Sequence, residues 1–402
     1  MERDAAGGAE TEQADYQIRV CPGFDGFTPE EWHNLSDASR IDGTTGYNPF
    51  ISYEFLKSLE DSGCTGRASG WIGQHLRLEN PDGTLLGAVP CYAKTHSQGE
   101  YVFDHGWADA FERAGGRYYP KLQATVPFTP ATGPRLLVHR DGEPAAARMA
   151  LAEGLKTLTQ QLGVSSAHVT FAPEPEIDVL ESAGFLHRTD QQFHFINEGY
   201  ASYDEFLATL ASRKRKALKK ERRTALENGV SVEWLTGKDL TERVWDDFFA
   251  FYMDTGGRKW GRPYLNRRFY SLIGERMADD IMLVMAKREG KNIAGAINFI
   301  GGDTLYGRHW GCVEEHPYLH FEICYHQAID FAIARGLRVV EAGAQGEHKL
   351  ARGYLPVTTH SAHFIAHAGL RNAVADYLER ERRDVKQVAE FLEEHAPFRK
   401  GQ

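Results

Sequence analysis

The sequence predicts a mixed α/β fold built twice, as two tandem domains that each carry a mixed sheet with helices on both faces, followed by a C-terminal helix. Three observations predict it. The chain has 402 residues, 42% of them apolar, which is more than one core usually organises, so two domains of roughly 150 to 200 residues are expected. Both halves read helix, helix, antiparallel meander, helix, strand, an order that gives mixed sheets covered by helices. The halves also share local sequence. Gly184-Phe185-Leu186 and His194-Phe195 stand at the same mutual spacing as Gly353-Tyr354-Leu355 and His363-Phe364, and Leu86-Gly87-Ala88-Val89 resembles Ala294-Gly295-Ala296-Ile297.

The elements follow in order. Residues 1–15 hold almost no large apolar side chain and read as a flexible tail. A first domain is expected over 16–195, with helices near 29–39 and 52–62. Strands are expected at 75–80 and 84–94, joined through Pro81-Asp82-Gly83, and a third strand at 100–106. A long aromatic loop covers 118–134, then a Leu-periodic helix 144–162 and a strand 167–172. A second domain is expected over 196–369, opening with a basic helix. Helices at 240–255 and 266–277, strands at 281–287, 293–300 and 304–311, a helix at 321–335 and a strand at 337–342 complete it. Residues 370–402 hold a charged amphipathic helix, 370–394, and an end segment.

Several function classes are excluded. No run of about 18 apolar residues exists and the first 15 residues are acidic, so neither a membrane span nor a secretory signal is expected, and the protein reads as cytoplasmic. Five scattered cysteines, without C-x-x-C or a nearby His pair, predict reduced thiols and no structural metal. His316, His320 and His326 with Glu322 crowd one segment, but Pro317 interrupts their helical spacing and no metal site is expected. Nucleophile-elbow, phosphate-loop and dinucleotide fingerprints are missing, so hydrolase, NTPase and dehydrogenase readings have no support.

Within a net charge of −10 lies one strongly basic run. Arg213 to Arg223 holds eight cations and a single acid, Glu221, with Leu207, Leu210, Ala211, Ala217, Leu218 and Ala225 spaced to share a helical face. The cations are either a solvated face or a phosphate-binding surface for a tRNA, a nucleotide or a diphosphate-linked substrate.

Several stretches resemble those of a known family: Asn48-Pro-Phe-Ile-Ser52, Gly99-Glu-Tyr-Val-Phe-Asp104, Tyr119-Pro-Lys-Leu122, Pro127-Phe-Thr-Pro130 and Glu341-Ala-Gly-Ala-Gln-Gly-Glu-His-Lys349. They are similar to the bacterial peptidoglycan biosynthesis/recognition N-acyltransferases, relatives of the Fem-type aminoacyl transferases, across roughly 46–394. The resemblance implies tandem GNAT-type acyltransferase domains. It implies an activated acyl donor used as co-substrate rather than a bound cofactor: aminoacyl-tRNA, acyl-CoA or an acyl-carrier protein. The acceptor would be a small amine or peptide. A non-catalytic module that recognises cell-wall precursors on the same fold is the alternative.

The resemblance also assigns residues. The basic helix ends in Gly229-Val230, as the second-domain helix of Fem-type enzymes does, which places Lys219 and Arg223 at basic positions that meet phosphate. Glu347, His348 and Lys349 with Tyr354 stand where those enzymes carry an aromatic-Lys dipeptide and a Gly-aromatic element. Lys349 then serves the acyl oxygen, because acyl transfer to an amine needs a stabilised oxyanion and a base. Its counterpart by the repeat alignment is the apolar Leu180. Glu322 and His320 are the candidate proton acceptors. Arg308 and Trp310 open the segment where GNAT enzymes hold coenzyme A, but Val313 and Glu314-Glu315 depart from that pattern and disfavour phosphate. Asp104, Trp107, Tyr119 and Lys121, from the loop and its approach, either grip a polar acceptor or cover an interdomain cleft.

Overall fold

A computed structural model describes residues 16–38, 46–139, 143–260, 263–343, 346 and 348–399. The segment expected as a tail, 1–15, and the candidate Glu347 lie outside these residues. The first half runs β1 (Gln17–Cys21), α1 (Pro29–Ala38), α2 (Tyr53–Asp61), β2 (Trp71–Gly73), β3 (His75–Glu79), β4 (Leu85–Val89) and β5 (Cys91–Lys94). It continues with α3 (His105–Arg113), β6 (Lys121–Ala124), β7 (Leu137–Val138), α4 (Pro144–Gln161), β8 (Ser166–Ala172), α5 (Glu174–Ser182) and β9 (Leu186–Ile196).

The second half runs α6 (Tyr203–Thr209), α7 (Ser212–Ala225), β10 (Val230–Leu235), α8 (Glu242–Trp260), α9 (Arg267–Arg276), β11 (Ile281–Arg288), β12 (Lys291–Ile300) and β13 (Thr304–Cys312). After β13 a short α10 (Leu319–Phe321) widens into a π-helical turn (Glu322–His326) before α11 (Gln327–Arg335). Then come β14 (Val339–Glu341), β15 (Leu355–Ile365) and α12 (Ala368–Glu394).

Three expectations are corrected. The strand expected at 84–94 is two strands, because Pro90 cannot donate to a ladder; β4 joins one sheet and β5 the other. No strand forms at 100–106: Tyr101 has a φ of 61° and α3 begins at His105. The basic helix does not run through residues 207–225, since extended backbone at Leu210 and Ala211 separates α6 from α7, and Ala217 is exposed rather than packed.

Among the described residues a four-stranded sheet has the order β1-β3-β4-β7, and an eleven-stranded sheet has the order β10-β11-β12-β13-β14-β9-β15-β8-β6-β5-β2. At the centre of the large sheet the halves exchange strands. The last strand of the first half, β9, pairs with β14 of the second, whereas β15 of the second half pairs with β8 of the first. Between them β9 and β15 run antiparallel with Asp190 opposite Thr359. The offset that carries Gly184 to Gly353 carries Asp190 to Thr359, so this residue faces its own counterpart and a local two-fold axis passes between them. His194 and its counterpart His363 lie symmetrically about that axis, opposite Leu355 and Leu186.

Both halves also bury side chains in one core. Phe50 of the first half packs on Phe299 and Tyr306 of the second, with ring centroids 5.0 and 5.1 Å away, and Phe55 packs on Phe269 at 5.7 Å. Contacts of this kind contribute both area and edge-to-face attraction. Polar contacts flank the core: Tyr47 donates to Asp280 (2.7 Å), Asn266 to the Ser62 carbonyl (2.8 Å) and Arg276 to Asp61 (2.7 Å).

Candidate active site

The site begins where β13 and β14 part. They pair in parallel only over Thr304–Tyr306 and Val339–Glu341; beyond Tyr306 the strand β13 continues to Cys312 while the chain leaves Glu341 in a loop. A register shift opposite Ile297 and Asn298 of β12 bends β13 at the same level. On its outer face β13 is held by α8 at Gly311, where any Cβ would lie 2.0 Å from the Phe251 carbonyl oxygen. The splay leaves a cavity of about 100 Å³ whose walls include Arg308, Trp310, His320, Cys324, Tyr325 and Ala342. Trp310 and His320, with rings 4.7 Å apart, also line a larger cavity of about 380 Å³ that adds Glu314, Glu315 and His316.

Lys349 lies next to the Ala342 wall. Positive φ at Gly343 (76°) and Gly346 (113°) lets the loop fold back. As a result the Lys349 amide donates to the Gly346 carbonyl (3.0 Å) and its Nζ to the Gly343 carbonyl (2.9 Å). Gly343 directly follows Ala342 of the cavity wall. Lys349 is only 4% exposed, and burial pulls its pKa down to about 8. The ammonium is therefore charged at neutral pH but poised to lose that charge just above it.

The basic helix supports this loop from behind with its inner face. Glu221 accepts from Arg352 Nε (2.8 Å) and Nη2 (2.7 Å) and lies 2.8 Å from His326 Nε2. Arg352 in turn donates Nη1 to the His348 carbonyl (2.6 Å) and stacks on the Phe321 ring at 3.5 Å. Beside it Arg222 bridges Glu322 (2.8 Å) and Asp330 (2.6 Å). The outer face carries Arg213, Lys214, Lys216, Lys219, Lys220 and Arg223 exposed to solvent.

The predicted site residues thus divide. Arg308, Trp310 and His320 line the splay; His348 lies beside it, its ring 6.3 Å from His320 and its Nε2 3.0 Å from the Tyr325 hydroxyl, and Lys349 is held next to the wall on the Gly343 carbonyl. Arg308 also reaches across the halves, donating Nη2 to the Phe128 carbonyl (2.7 Å). Lys219 and Arg223 lie on the outer face of α7, where Lys219 pairs with Asp204 (2.7 Å).

Glu322 is corrected as a proton acceptor. Its carboxylate is fully buried and held by Arg222 and Gln327 Nε2 (2.7 Å), and it does not line the cavity. Tyr354 is corrected as a substrate contact, being fully buried with its hydroxyl donating to the Tyr325 carbonyl (3.1 Å).

Asp104, Trp107 and Lys121 are also corrected as ligand contacts. Their side chains are interior: Lys121 donates to Glu100 (2.6 Å) and to Asp104, Tyr118 donates to Asp104 (2.7 Å), and Trp107 packs on His363 at 5.0 Å. Tyr119 is half-buried, with its hydroxyl 2.8 Å from Ser97 Oγ. A buried cation needs such carboxylate partners, which explains the polar composition of the segment without a ligand.

Sequence reasoning missed Arg352, Cys324, Tyr325 and the structural role of Glu221. One signal was available: a lone acid inside a run of eight cations marks an inward-facing position. Glu341 ends β14. It faces His194 across the strand pair, with Oε1 and Nε2 3.8 Å apart, and burial pushes its pKa up to about 8 despite Arg308 and Arg135 nearby.

Residues 24–400 match the model of a FemAB-like family described as peptidoglycan biosynthesis/recognition. The chain belongs to that family. Solved structures agree at the level of the fold. FemX is similar at 12% identity with a TM-score of 0.53, over 87% of this chain and 98% of that one. A conserved Bacteroides thetaiotaomicron protein of unknown function shares 10% identity, with a TM-score of 0.53 and coverage of 87% and 100%. The C-terminal domain of a proposed lysylphosphatidylglycerol synthetase from Agrobacterium fabrum shares 9%, with a TM-score of 0.51 and coverage of 87% and 96%. No curated protein matches the chain by sequence. The FemAB-like member described here has a mixed α/β fold with a C-terminal helix, and no described helix is long and apolar enough to cross a membrane.

Proposed function

We propose that this FemAB-like protein is an N-acyltransferase that moves an acyl or aminoacyl group from an activated carrier to a substrate amine, forming an amide. One observation carries the reading: a buried ammonium, Lys349, is anchored on the Gly343 carbonyl, next to Ala342 in the wall of a strand splay that Arg308 and His320 also line. Amine attack on an ester or thioester puts negative charge on the acyl oxygen, and a fixed cation in a site of low water content stabilises it. His320 is the candidate acceptor for the amine proton.

The donor ranking is aminoacyl-tRNA, then acyl-CoA, then an acyl-carrier protein. The exposed cationic face of α7 suits a phosphate backbone. The turn after β13, where coenzyme A would place its pyrophosphate, instead carries Glu314 and Glu315. Glu314 is already engaged by Arg288 (2.8 Å) and His316 (3.2 Å), which fixes a carboxylate rather than a phosphate-binding amide at that turn. No bound cofactor is required; the acceptor would be a small amine or peptide, as in cell-wall precursors.

The experiment is direct. Incubate the protein with total charged bacterial tRNA or acetyl-CoA, together with amine-bearing peptidoglycan precursor peptides, and follow amide formation by mass. Transfer from charged tRNA that exceeds transfer from acetyl-CoA supports the reading. Rapid transfer from acetyl-CoA alone would reverse the donor ranking, and no transfer from either pool would remove the enzyme assignment.

A further inference from the structure

The acyl cavity also contains a thiol. Cys324 lies at the middle of the π-helical turn, one turn beyond His320, and both side chains line the 100 Å³ cavity together with Arg308 and Trp310. Residues four apart in a helix project to the same side, and π-turns recur at functional sites. Of the five cysteines, Cys21, Cys64, Cys91 and Cys312 are buried, and Cys324 is partly accessible. Lys349 lies near enough to Cys324 for the two to interact electrostatically. A nucleophile and a nitrogen base one helical turn away therefore line one small cavity, with Arg308 in the same wall.

We propose that Cys324 is the acyl-accepting nucleophile of this site, so that transfer proceeds through a thioester on the protein. The proposal rests on the acyltransferase reading. In the first step Cys324 Sγ bonds to the acyl carbon and the bond from that carbon to the carrier oxygen or sulfur breaks. The thiol proton passes to His320 and from it to the departing carrier atom. In the second step the acceptor nitrogen bonds to the acyl carbon and the carbon–sulfur bond breaks. One amine proton returns through His320 to the Cys324 thiolate. Nothing is oxidised or reduced. Arg308, in the same cavity wall, supplies positive charge beside the acyl group during both steps.

The probes are p-nitrophenyl acetate, a small activated ester that needs no carrier recognition, and total charged tRNA. With p-nitrophenyl acetate, wild type should release p-nitrophenol in a burst and gain one acetyl group at Cys324, located by peptide mass. Added amine should then remove the acetyl group as an amide faster than water does. His320→Gln keeps the thiol but should acquire the label at least about tenfold more slowly, as loss of a general base does. Cys324→Ala and Cys324→Ser should melt like wild type. Both should form amide from charged tRNA about 100-fold more slowly or worse, because a serine hydroxyl is a far weaker nucleophile than a thiolate. If wild type transfers from charged tRNA and Cys324→Ala matches it, the amine attacks the carrier directly and the thioester is overturned while the acyltransferase reading stands. Acetylation elsewhere, with Cys324 unmodified, overturns it equally. Absence of transfer by wild type from either donor removes both readings.

Discussion

Arg352 grips both carboxylate oxygens of Glu221, at 2.8 and 2.7 Å, tying the only acid of the basic helix to the turn that carries Lys349. The pair is largely buried and shares Glu221 with His326. Removing one member of a buried pair leaves the other uncompensated, at a cost of about 3 to 5 kcal/mol. Glu221→Ala should therefore lower stability by that order in urea titrations, and an equal loss is expected for Arg352→Met. A double variant close to either single one would demonstrate the coupling; additive losses would contradict it.

Lys349→Met separates catalysis from stability. Losing one donor to a developing oxyanion costs a factor of about 100 to 1,000 in turnover. The variant should nevertheless be no less stable at pH 7. Burial depresses the folded pKa to about 8 from a normal value near 10.5, so the penalty for holding the charge is fully present below pH 8 and is relieved as pH rises toward 10.5. In wild type, turnover should fall as pH passes upward through about 8 because the ammonium is lost. The check is a single-turnover pH profile beside a melting curve. A variant within threefold of wild-type turnover would remove Lys349 from the mechanism.

Glu341 should leave its own mark on stability. Burial raises its pKa from about 4.5 to about 8, so between those values the folded protein keeps a proton that the unfolded chain releases. Its contribution is complete below pH 4.5 and is lost as pH rises to 8, at up to about 1.4 kcal/mol per pH unit. Glu341→Gln, which cannot ionise, should flatten that part of the stability curve. Parallel curves for wild type and variant from pH 5 to 8 would show that the carboxyl ionises normally.

The outer face of α7 makes a salt-dependent prediction. Six exposed cations, Arg213, Lys214, Lys216, Lys219, Lys220 and Arg223, are enough for a thousandfold loss of tRNA affinity between about 50 and 200 mM salt, if all meet phosphate. Lys216→Ala with Lys220→Ala should reduce the slope of log affinity against log salt by about 2 while leaving melting unchanged. Equal affinity at both salts would mean that the face is merely solvated.

Much of this was legible in the sequence because local periodicity and turn chemistry agree with the fold. The helices at Pro29–Ala38, Tyr53–Asp61 and Pro144–Gln161 and the meander at Ile281–Arg288, Lys291–Ile300 and Thr304–Cys312 start and stop close to their sequence signals. Lys349 was legible as a candidate only, through its place after a core strand and its resemblance to Fem-type enzymes. Burial was not. Asp104, Lys121 and Glu322 are charged residues that partner other charges inside the protein, and a sequence without contacts cannot distinguish such a group from one awaiting a ligand. Strand exchange was likewise invisible, because the shared His-Phe pairs at 194 and 363 mark equivalent positions without saying which sheet edge each strand fills.

That exchange predicts how the molecule unfolds. Because β9 fills the edge beside β14 and β15 the edge beside β8, each half is completed by chain from the other. Neither can lose its central strand without exposing the partner's core, and the shared aromatic cluster of Phe50, Phe55, Phe269 and Phe299 adds to that dependence. Unfolding in urea should be one cooperative transition, with far-UV signal and tryptophan fluorescence coinciding. Amides of β8 and β14 should exchange with similar, near-global protection, since each lies next to a donated strand. Residues 16–195 expressed alone would keep β9 but lack β15, leaving β8 with an open edge and an apolar face, and should not reach a stable fold. A soluble, cooperatively melting fragment, or two separate transitions in the intact chain, would show that the halves stand independently.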